Sequence, residues 1–386
     1  MATDFTIRQN DLFLPRKPLQ TASRQKNRSG FEGTNAGCIA GADTLCLRLW
    51  RLFILLLIVS LLSSLLSGSF ADAWSGADGW MMGFLVQALS LFFAFLFSFP
   101  ISGDGEHARK FGTYCLYAGA GITIFLGIAN RFRFYPFSYM GIDYTYLSTL
   151  GNIDWFCGYL SVVVPILMGD LYLARLDRQS GRKVYVKELL LVMFFLILIL
   201  SGTESCYLIL GVCFVSLAIV SVQNQAGLPA FLEQLAAFCL LPVQVLLPGL
   251  YSDRFGSSRG LIWSTCSEIY RGLPLSQKLF GIGPDCLYSY LLSHTEYRSV
   301  FLNRFGMDIM NAHSILLNRL LTTGLIGMML YLVIIVLSLR IWNRKLRSLP
   351  YIMMLLCYLA VGTVLFDQIT CLPLMLILMG IGIRQE

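Results

Sequence analysis

The chain has 386 residues, 56% of them hydrophobic and only 13% charged, with a formal net charge of +7 and a mean hydropathy of +0.68. A soluble domain has too little interior to hide that much apolar surface, so the composition excludes a water-soluble globular protein. The basic balance suits cytoplasmic loops facing anionic lipid, and nucleic acid is not an expected partner.

Residues 1–44 are polar and basic and read as a disordered cytoplasmic tail, with nothing at the start that resembles a cleavable signal peptide. Residues 45–386 read as one polytopic membrane domain. Runs such as LFILLLIVSLLSSLL, VKELLLVMFFLILILSG and IGMMLYLVIIVLSL approach the roughly 20 residues that cross a bilayer core. About ten spans are expected: 45–69, 81–101, 112–130, 155–174, 187–202, 205–222, 230–250, 314–339, 350–367 and 369–384. The fold class is therefore an all-α integral membrane protein. No repeat period is visible.

Loop charges give the direction. Arg8, Arg16, Lys17, Arg24, Lys26, Arg28, Arg48 and Arg51 precede or open the first span. Arg109 and Lys110 follow the second, and Arg175, Arg178, Arg182, Lys183 and Lys187 follow the fourth. Arg340, Arg344, Lys345 and Arg347 follow the eighth. With alternating spans all four clusters share one side, which the positive-inside rule makes cytoplasmic, with both termini inside. The other side receives residues 131–154 and a long polar loop, 251–313. That loop is itself rich in arginine, which a long exported loop tolerates. Asp154 and Asp367 fall at span ends and read as solvated.

The long loop holds the candidate chemistry. After Ser257-Ser258, the stretch RGLIWSTCSEIY has helical spacing, with Leu261, Ile262, Ile269 and Tyr270 as its apolar face. Pro274 and the G-I-G-P of 281–284 demand turns and bring the backbone close to a neighbour. Arginine forks and glycine turns suit phosphate oxygens. His313 stands at the lip of the eighth span, and histidine is the side chain that exchanges a proton near neutral pH. For Arg259 the alternative is a structural ion pair with Asp253 or Glu268, and for His313 a helix cap. Arg131 and Arg133, on the other outer loop, suit either phosphate binding or snorkelling at an interface. Glu204, in a short outer turn, is a further candidate. Of the 11 cysteines, only Cys266 and Cys286 share the long loop, and they read as free thiols. There is no C-x-x-C pair or histidine cluster, so neither a metal nor a cofactor is expected.

In order and spacing, Arg259 to Trp263 (R-x3-W), Pro274-Leu275, Gly281 to Pro284, Ala312-His313 and Gly324 to Gly327 resemble the O-antigen ligase and O-antigen polymerase superfamily of bacterial envelope enzymes. TLGNIDWFCGYLSVVVPI (149–166) resembles that superfamily's "GNPN…GYL…P" span, so the likeness covers about residues 145–340. The resemblance implies a GT-C-like fold and a metal-independent, inverting glycosyltransferase at the outer face of the bacterial cytoplasmic membrane. Its donor is a glycan on undecaprenyl diphosphate, and its acceptor is a sugar or a lipid-linked glycan. Arg259 matches the arginine that binds diphosphate, with Arg254 a nearby second candidate. His313 matches the proposed general base. The sequence departs from the pattern at Ser314, where many members have asparagine, and at Thr323, where an acidic residue is usual. It departs also at Glu204, where an arginine often completes the phosphate clamp; Arg131 or Arg133 would have to take that place.

Polymerisation of repeat units is the leading expectation, and ligation to another acceptor is its near neighbour. A catalytically dead relative is a third reading. A transporter or flippase of lipid-linked sugars is the alternative of a different class. That alternative calls for ionisable residues and broken helices near mid-membrane, in paired halves. This chain instead concentrates its ionisable residues in one outer loop.

Overall fold

A computed structural model describes residues 32–99, 105–137, 148–201, 204–223, 252–343 and 345–384. The chain divides into two units, 1–43 and 44–386, and the second holds the helical bundle. Residues 1–31 of the expected tail and the expected span 230–250 lie outside the described residues.

The described elements are helical, with no strand among them. They are α1 (Glu32–Leu66), α2 (Phe70–Ser75), α3 (Phe84–Ser98), α4 (Gly105–Arg131), α5 (Ile153–Leu176), α6 (Arg182–Ser201) and α7 (Glu204–Gln223). After these come α8 (Phe255–Gly272), α9 (Leu275–Phe280), α10 (Leu287–Ser293), α11 (Thr295–Phe305), α12 (Ile315–Trp342), α13 (Leu349–Gly362) and α14 (Leu372–Arg384). Each expected span that falls among the described residues overlaps a helix. Among the described residues, four helical stretches are long and apolar enough to cross a membrane unaided: Thr44–Leu66, Gly112–Arg131, Ile153–Leu176 and Ile315–Trp342. α3, α13, α14 and residues 205–220 of α7 are shorter apolar helices.

The packing is compatible with a membrane protein. Along α1, Leu47, Ile54, Ile58, Leu62 and Leu65 stay exposed, while Leu49, Phe53 and Leu56 are buried together with Ser60, Ser63 and Ser64. A surface helix of a soluble protein shows the reverse, with polar residues outward. Large apolar residues outside and small hydroxyls at the helix contact suit lipid as the solvent. At the centre lies α13, every residue of which is buried, packed on α5, α7, α12 and α14. A helix apolar all round has no face for water, so the core is its only place. α3 runs along α14, where a side chain at Gly380 would meet the Ala94 carbonyl oxygen at 2.1 Å.

The long polar loop folds as a helical layer of its own. Ile262, Trp263, Cys266, Ile269, Leu287, Leu291 and Phe301 share a core with Leu317, Leu320 and Leu321 of α12. The buried face of α8 is thus Ile262, Trp263, Cys266 and Ile269; Leu261 and Tyr270, expected on that face, are only half-buried.

The G-I-G-P turn and the G-L-I-G motif meet each other. α12 breaks at Gly324 (φ 70°, ψ −175°). Such a break takes the helical partners from the carbonyls of Leu321 and Thr322, because the amides four residues on no longer reach back. The turn replaces them: Ile282 N donates to Leu321 O at 2.9 Å and Gly283 N to Thr322 O at 3.1 Å. Ser63 Oγ of α1 adds a bond to Thr322 O at 2.6 Å. The close neighbour of Gly324 is therefore this turn. A Cβ at Gly324 would lie 2.2 Å from Leu279 O, and one at Gly281 would lie 2.2 Å from Thr322 O. Gly324→Ala and Gly281→Ala should each cost about 3 kcal/mol or more, backbone strain and clash together, seen as a lower denaturation midpoint of the purified protein. Gly306, also at positive φ but with nothing within 4 Å, is the control and should lose only about 1 kcal/mol. Equal losses at all three would mean that the close approach carries no weight.

Candidate functional site

The layer ends at Asn311-Ala312-His313-Ser314, and short polar bonds fix this lip. Ser314 is the N-cap of α12, its hydroxyl facing Leu317 N at 3.5 Å, so the capping role expected as an alternative for His313 belongs to its neighbour. His313 lies one residue before the cap in a left-handed conformation, φ 46°. Its N–H donates to Asn311 Oδ1 at 3.1 Å, and the Ala312 amide donates to Asn318 Oδ1 at 3.2 Å. Its carbonyl accepts from Trp263 Nε1 at 3.2 Å. The arginine–tryptophan and alanine–histidine motifs are thus joined by a direct hydrogen bond.

Arg259 begins the regular part of α8. The three residues before it, Gly256, Ser257 and Ser258, are all left-handed, with φ of 55°, 60° and 68°. Arg304 of α11 braces this turn by donating from Nε and Nη2 to Ser258 Oγ at 3.0 and 2.7 Å. The Arg259 guanidinium spreads over three partners. Nε donates to Val364 O at 2.8 Å, Nη1 to Gly256 O at 2.9 Å, and Nη2 faces both oxygens of Asp154 at 3.3 and 3.4 Å. Its ionic partner is therefore Asp154, rather than Asp253 or Glu268. Asp154 is not simply solvated: it opens α5 beside Asn152, whose side chain caps the helix by accepting from Trp155 N at 2.9 Å.

The third wall is the connection between α13 and α14, residues 363–371. Val364 receives Arg259. Phe366 packs edge-on against the His313 ring at 5.3 Å, and Gln368 Nε2 donates to Asp154 O at 3.3 Å. Trp80, on the turn after α2, closes the row by touching Phe366 and Trp155. Asp285 holds that turn, its Oδ2 accepting from Ala77 N at 2.9 Å and Met82 N at 3.0 Å. Burial pushes the Asp285 carboxyl up to about 6, even though those two amides favour its charged form.

Electrostatics set the state of His313. Burial first, and the Arg259 charge second, lower its pKa to about 4, so the ring is neutral at pH 7. Its Nδ1 is buried with no hydrogen-bond partner in the protein. A neutral imidazole with an uncommitted nitrogen is able to receive a proton, and a cation beside it is able to hold an anion.

Sequence reasoning passed over one element. Asp367, expected to be solvated, is only 8% exposed and forms an ion pair with Arg319 at 2.6 Å. Tyr358 adds a bond of 2.5 Å to the same carboxylate, and the Arg319 guanidinium also lies over the Tyr331 ring at 4.8 Å. A cavity of about 30 Å³ adjoins Arg319, lined also by Tyr331, Gln87 and apolar side chains of α1, α3, α12, α13 and α14. The ionisable residues are thus not confined to the outer loop: one lies within an apolar helix that is also broken. Removing one partner should strand the other. Asp367→Ala should cost about 3–5 kcal/mol of stability, and Arg319→Leu combined with Asp367→Leu should recover most of that. A double variant as unstable as the single one would show that packing, not charge, is at stake.

The remaining candidates lie apart. Arg254 is exposed at the head of the left-handed turn, and Arg131 and Arg133 are exposed at the end of α4. Among the described contacts, none joins these three to Arg259, Asp154 or His313. Glu204 starts α7, and its side chain lies outside the described residues. The residues that line this candidate site and that the sequence did not single out for it are Asp154, Trp80, Phe366 and Gln368. The one available signal was the D-Q pair at 367–368 interrupting an apolar run, since polar groups at such depth need partners. No protein-family model matches the chain, and no curated protein or solved structure matches it.

Proposed function

We propose that the protein is a membrane glycosyltransferase that polymerises oligosaccharide repeat units carried on undecaprenyl diphosphate, at the outer face of a bacterial cytoplasmic membrane. The observation that carries this reading is the juncture of Arg259 and His313, tied by the Trp263 bond. Leaving-group charge and acceptor proton then have separate receivers in one place.

In the reaction an acceptor hydroxyl attacks the anomeric carbon of the donor from the face opposite the diphosphate. The new C–O bond forms as the bond to the lipid diphosphate breaks, and the configuration inverts. The acceptor proton passes to Nδ1 of His313. The negative charge that develops on the departing diphosphate falls to Arg259. Asp154 holds Arg259 through contacts longer than a good charge-assisted bond, so an incoming diphosphate has a weak competitor to displace. A bound anion also offsets the Arg259 charge that depresses His313, raising the ring's basicity when the donor is present. No metal ion enters this scheme, and Glu204 replaces no part of it.

The buried Arg319–Asp367 pair beside the break in α12 favours a second reading, a transporter of the same lipid-linked sugars. One experiment separates the two. The protein is reconstituted in liposomes with lipid-linked repeat units and a chelator. Elongated chains with release of undecaprenyl diphosphate are expected. Movement of the lipid-linked unit between leaflets without elongation would establish the transporter instead. Transfer to a non-lipid acceptor alone would make it a ligase.

A further inference from the structure

Four rings form one unbroken row. Trp155 and Trp80 are 5.6 Å apart, Trp80 and Phe366 5.1 Å, and Phe366 and His313 5.3 Å. They come from four separate places in the chain: the start of α5, the turn after α2, the α13–α14 connection and the lip of α12. Phe366 is buried, whereas Trp80 and Trp155 are half-buried, so the row keeps an open side at its tryptophan end.

Tryptophans near span ends commonly belong to an interfacial belt, each ring set singly at the headgroup level. This pair is arranged otherwise. The rings pack on one another and on the neighbour of His313, and Asp285 fastens the turn bearing Trp80 near both ends. Polar groups flank the row. The Asp154 side chain is 28% exposed and the Arg259 side chain 17% exposed. Trp155 Nε1, Asn311 Nδ2 and His313 Nδ1 are buried polar atoms with no hydrogen-bond partner in the protein.

An apolar ring face beside a carboxylate and unsatisfied donors matches few ligands. An alkyl chain would leave the polar atoms unpaired, and a free phosphate would face Asp154. A pyranose ring has both halves of the match. Its C–H face carries slight positive charge and stacks on the negative π-face of indole, while its hydroxyl rim both donates and accepts. We propose that the Trp155–Trp80–Phe366 row is a subsite for one pyranose ring of the glycan, which directs a rim hydroxyl toward His313. Calling that sugar the acceptor rests on the transferase reading; the binding of a pyranose does not.

The test uses the full chain in lipid nanodiscs, which avoids sugar-headed detergents. The probes are the methyl pyranosides of glucose, galactose, N-acetylglucosamine, mannose and rhamnose, followed by saturation-transfer NMR. Stacking tolerates changes in hydroxyl configuration, so at least one should bind at about 1–10 mM. Trp80→Ala and Trp155→Ala should each weaken binding at least about tenfold, which is roughly 1.4 kcal/mol. Trp80→Phe, which keeps an aromatic face and guards against misfolding of the alanine variant, should keep most of the binding. Trp74→Ala, an exposed tryptophan stacked on Phe70 outside the row, should change nothing. Failure of all five sugars to bind, or binding that ignores Trp80 and Trp155, would overturn the subsite. Chain elongation in liposomes without pyranoside binding would leave the transferase standing and remove only the subsite. Binding lost in Trp80→Ala, from a protein that never elongates chains, would keep the subsite and remove the transferase.

Discussion

Arg259→Ala is expected to lower polymer formation by at least about 10²–10³-fold, the usual cost of removing one preorganised partner of a developing negative charge. The difficulty lies in separating that loss from a structural one. Arg259 bonds to Val364, Gly256 and Asp154, so its truncation also loosens the α13–α14 connection and leaves the Asp154 carboxylate without its cation. Adding Asp154→Asn to Arg259→Ala removes the stranded charge. If Arg259 serves only to neutralise Asp154, the double variant should regain stability and activity together. If Arg259 holds the diphosphate, stability should return and activity should not. Arg259→Lys sharpens the point. Lysine keeps the charge but presents no planar fork, and it cannot reach Val364 O, Gly256 O and an anion together, so little turnover should return. Full activity in the lysine variant would reduce Arg259 to a generic positive charge.

Asp154 shows where the sequence stops being legible. Arg259 is readable as a candidate, because an arginine near glycine turns in a long outer loop suits phosphate oxygens. Its ionic partner is 105 positions away, on another helix, and no local pattern connects them. The same holds for Arg319. Within ILLNRLLTTGLIG it is a single charge in an apolar run, and only the packed bundle puts Asp367 beside it. Residues 363–371 mislead in the opposite way. Leu365 and Phe366 extend the apolar run of α13, so hydropathy carries the span on to 367, whereas the helix ends at Gly362. The chain can leave the helix there because its polar groups find partners inside the protein: Asp367 in Arg319 and Tyr358, Gln368 in the Asp154 carbonyl. Turn chemistry transferred in part. The paired glycines of G-I-G-P are a local demand on backbone conformation and take positive φ where the residues specify it, whereas the break at Gly324 inside an apolar run was not expected from the sequence. What the sequence withholds is that these two breaks satisfy each other.

His313 is the second position where a large effect is expected. Its backbone is held by Asn311 and Trp263, so replacing the side chain should leave the lip in place and report on the ring alone. His313→Ala should lower turnover by roughly 10²–10⁴-fold, the range of general-base catalysis, while the lipid-linked repeat still binds through Arg259. His313→Gln keeps a hydrogen-bonding side chain but takes no proton near neutral pH, so it should be as slow as alanine. A glutamine variant near the wild-type rate would make His313 a positioning residue. The pH response supplies an independent check. The folded-state pKa of about 4 lies below the ordinary 6.5, so between these values the unfolded chain binds a proton that the folded one refuses. Stability is therefore undiminished above about pH 6.5 and falls as the pH drops toward 4, by up to about 3 kcal/mol from this group. His313→Gln should flatten that acid limb. Arg259→Ala should shorten it from the low-pH end, because the cation that helps hold the ring neutral is gone and the folded-state pKa rises. A donor diphosphate works in the same direction as that variant. The acid limb of turnover should therefore lie above pH 4 in the donor complex, and a limb that remained at 4 would mean that no anion binds beside His313 during the reaction.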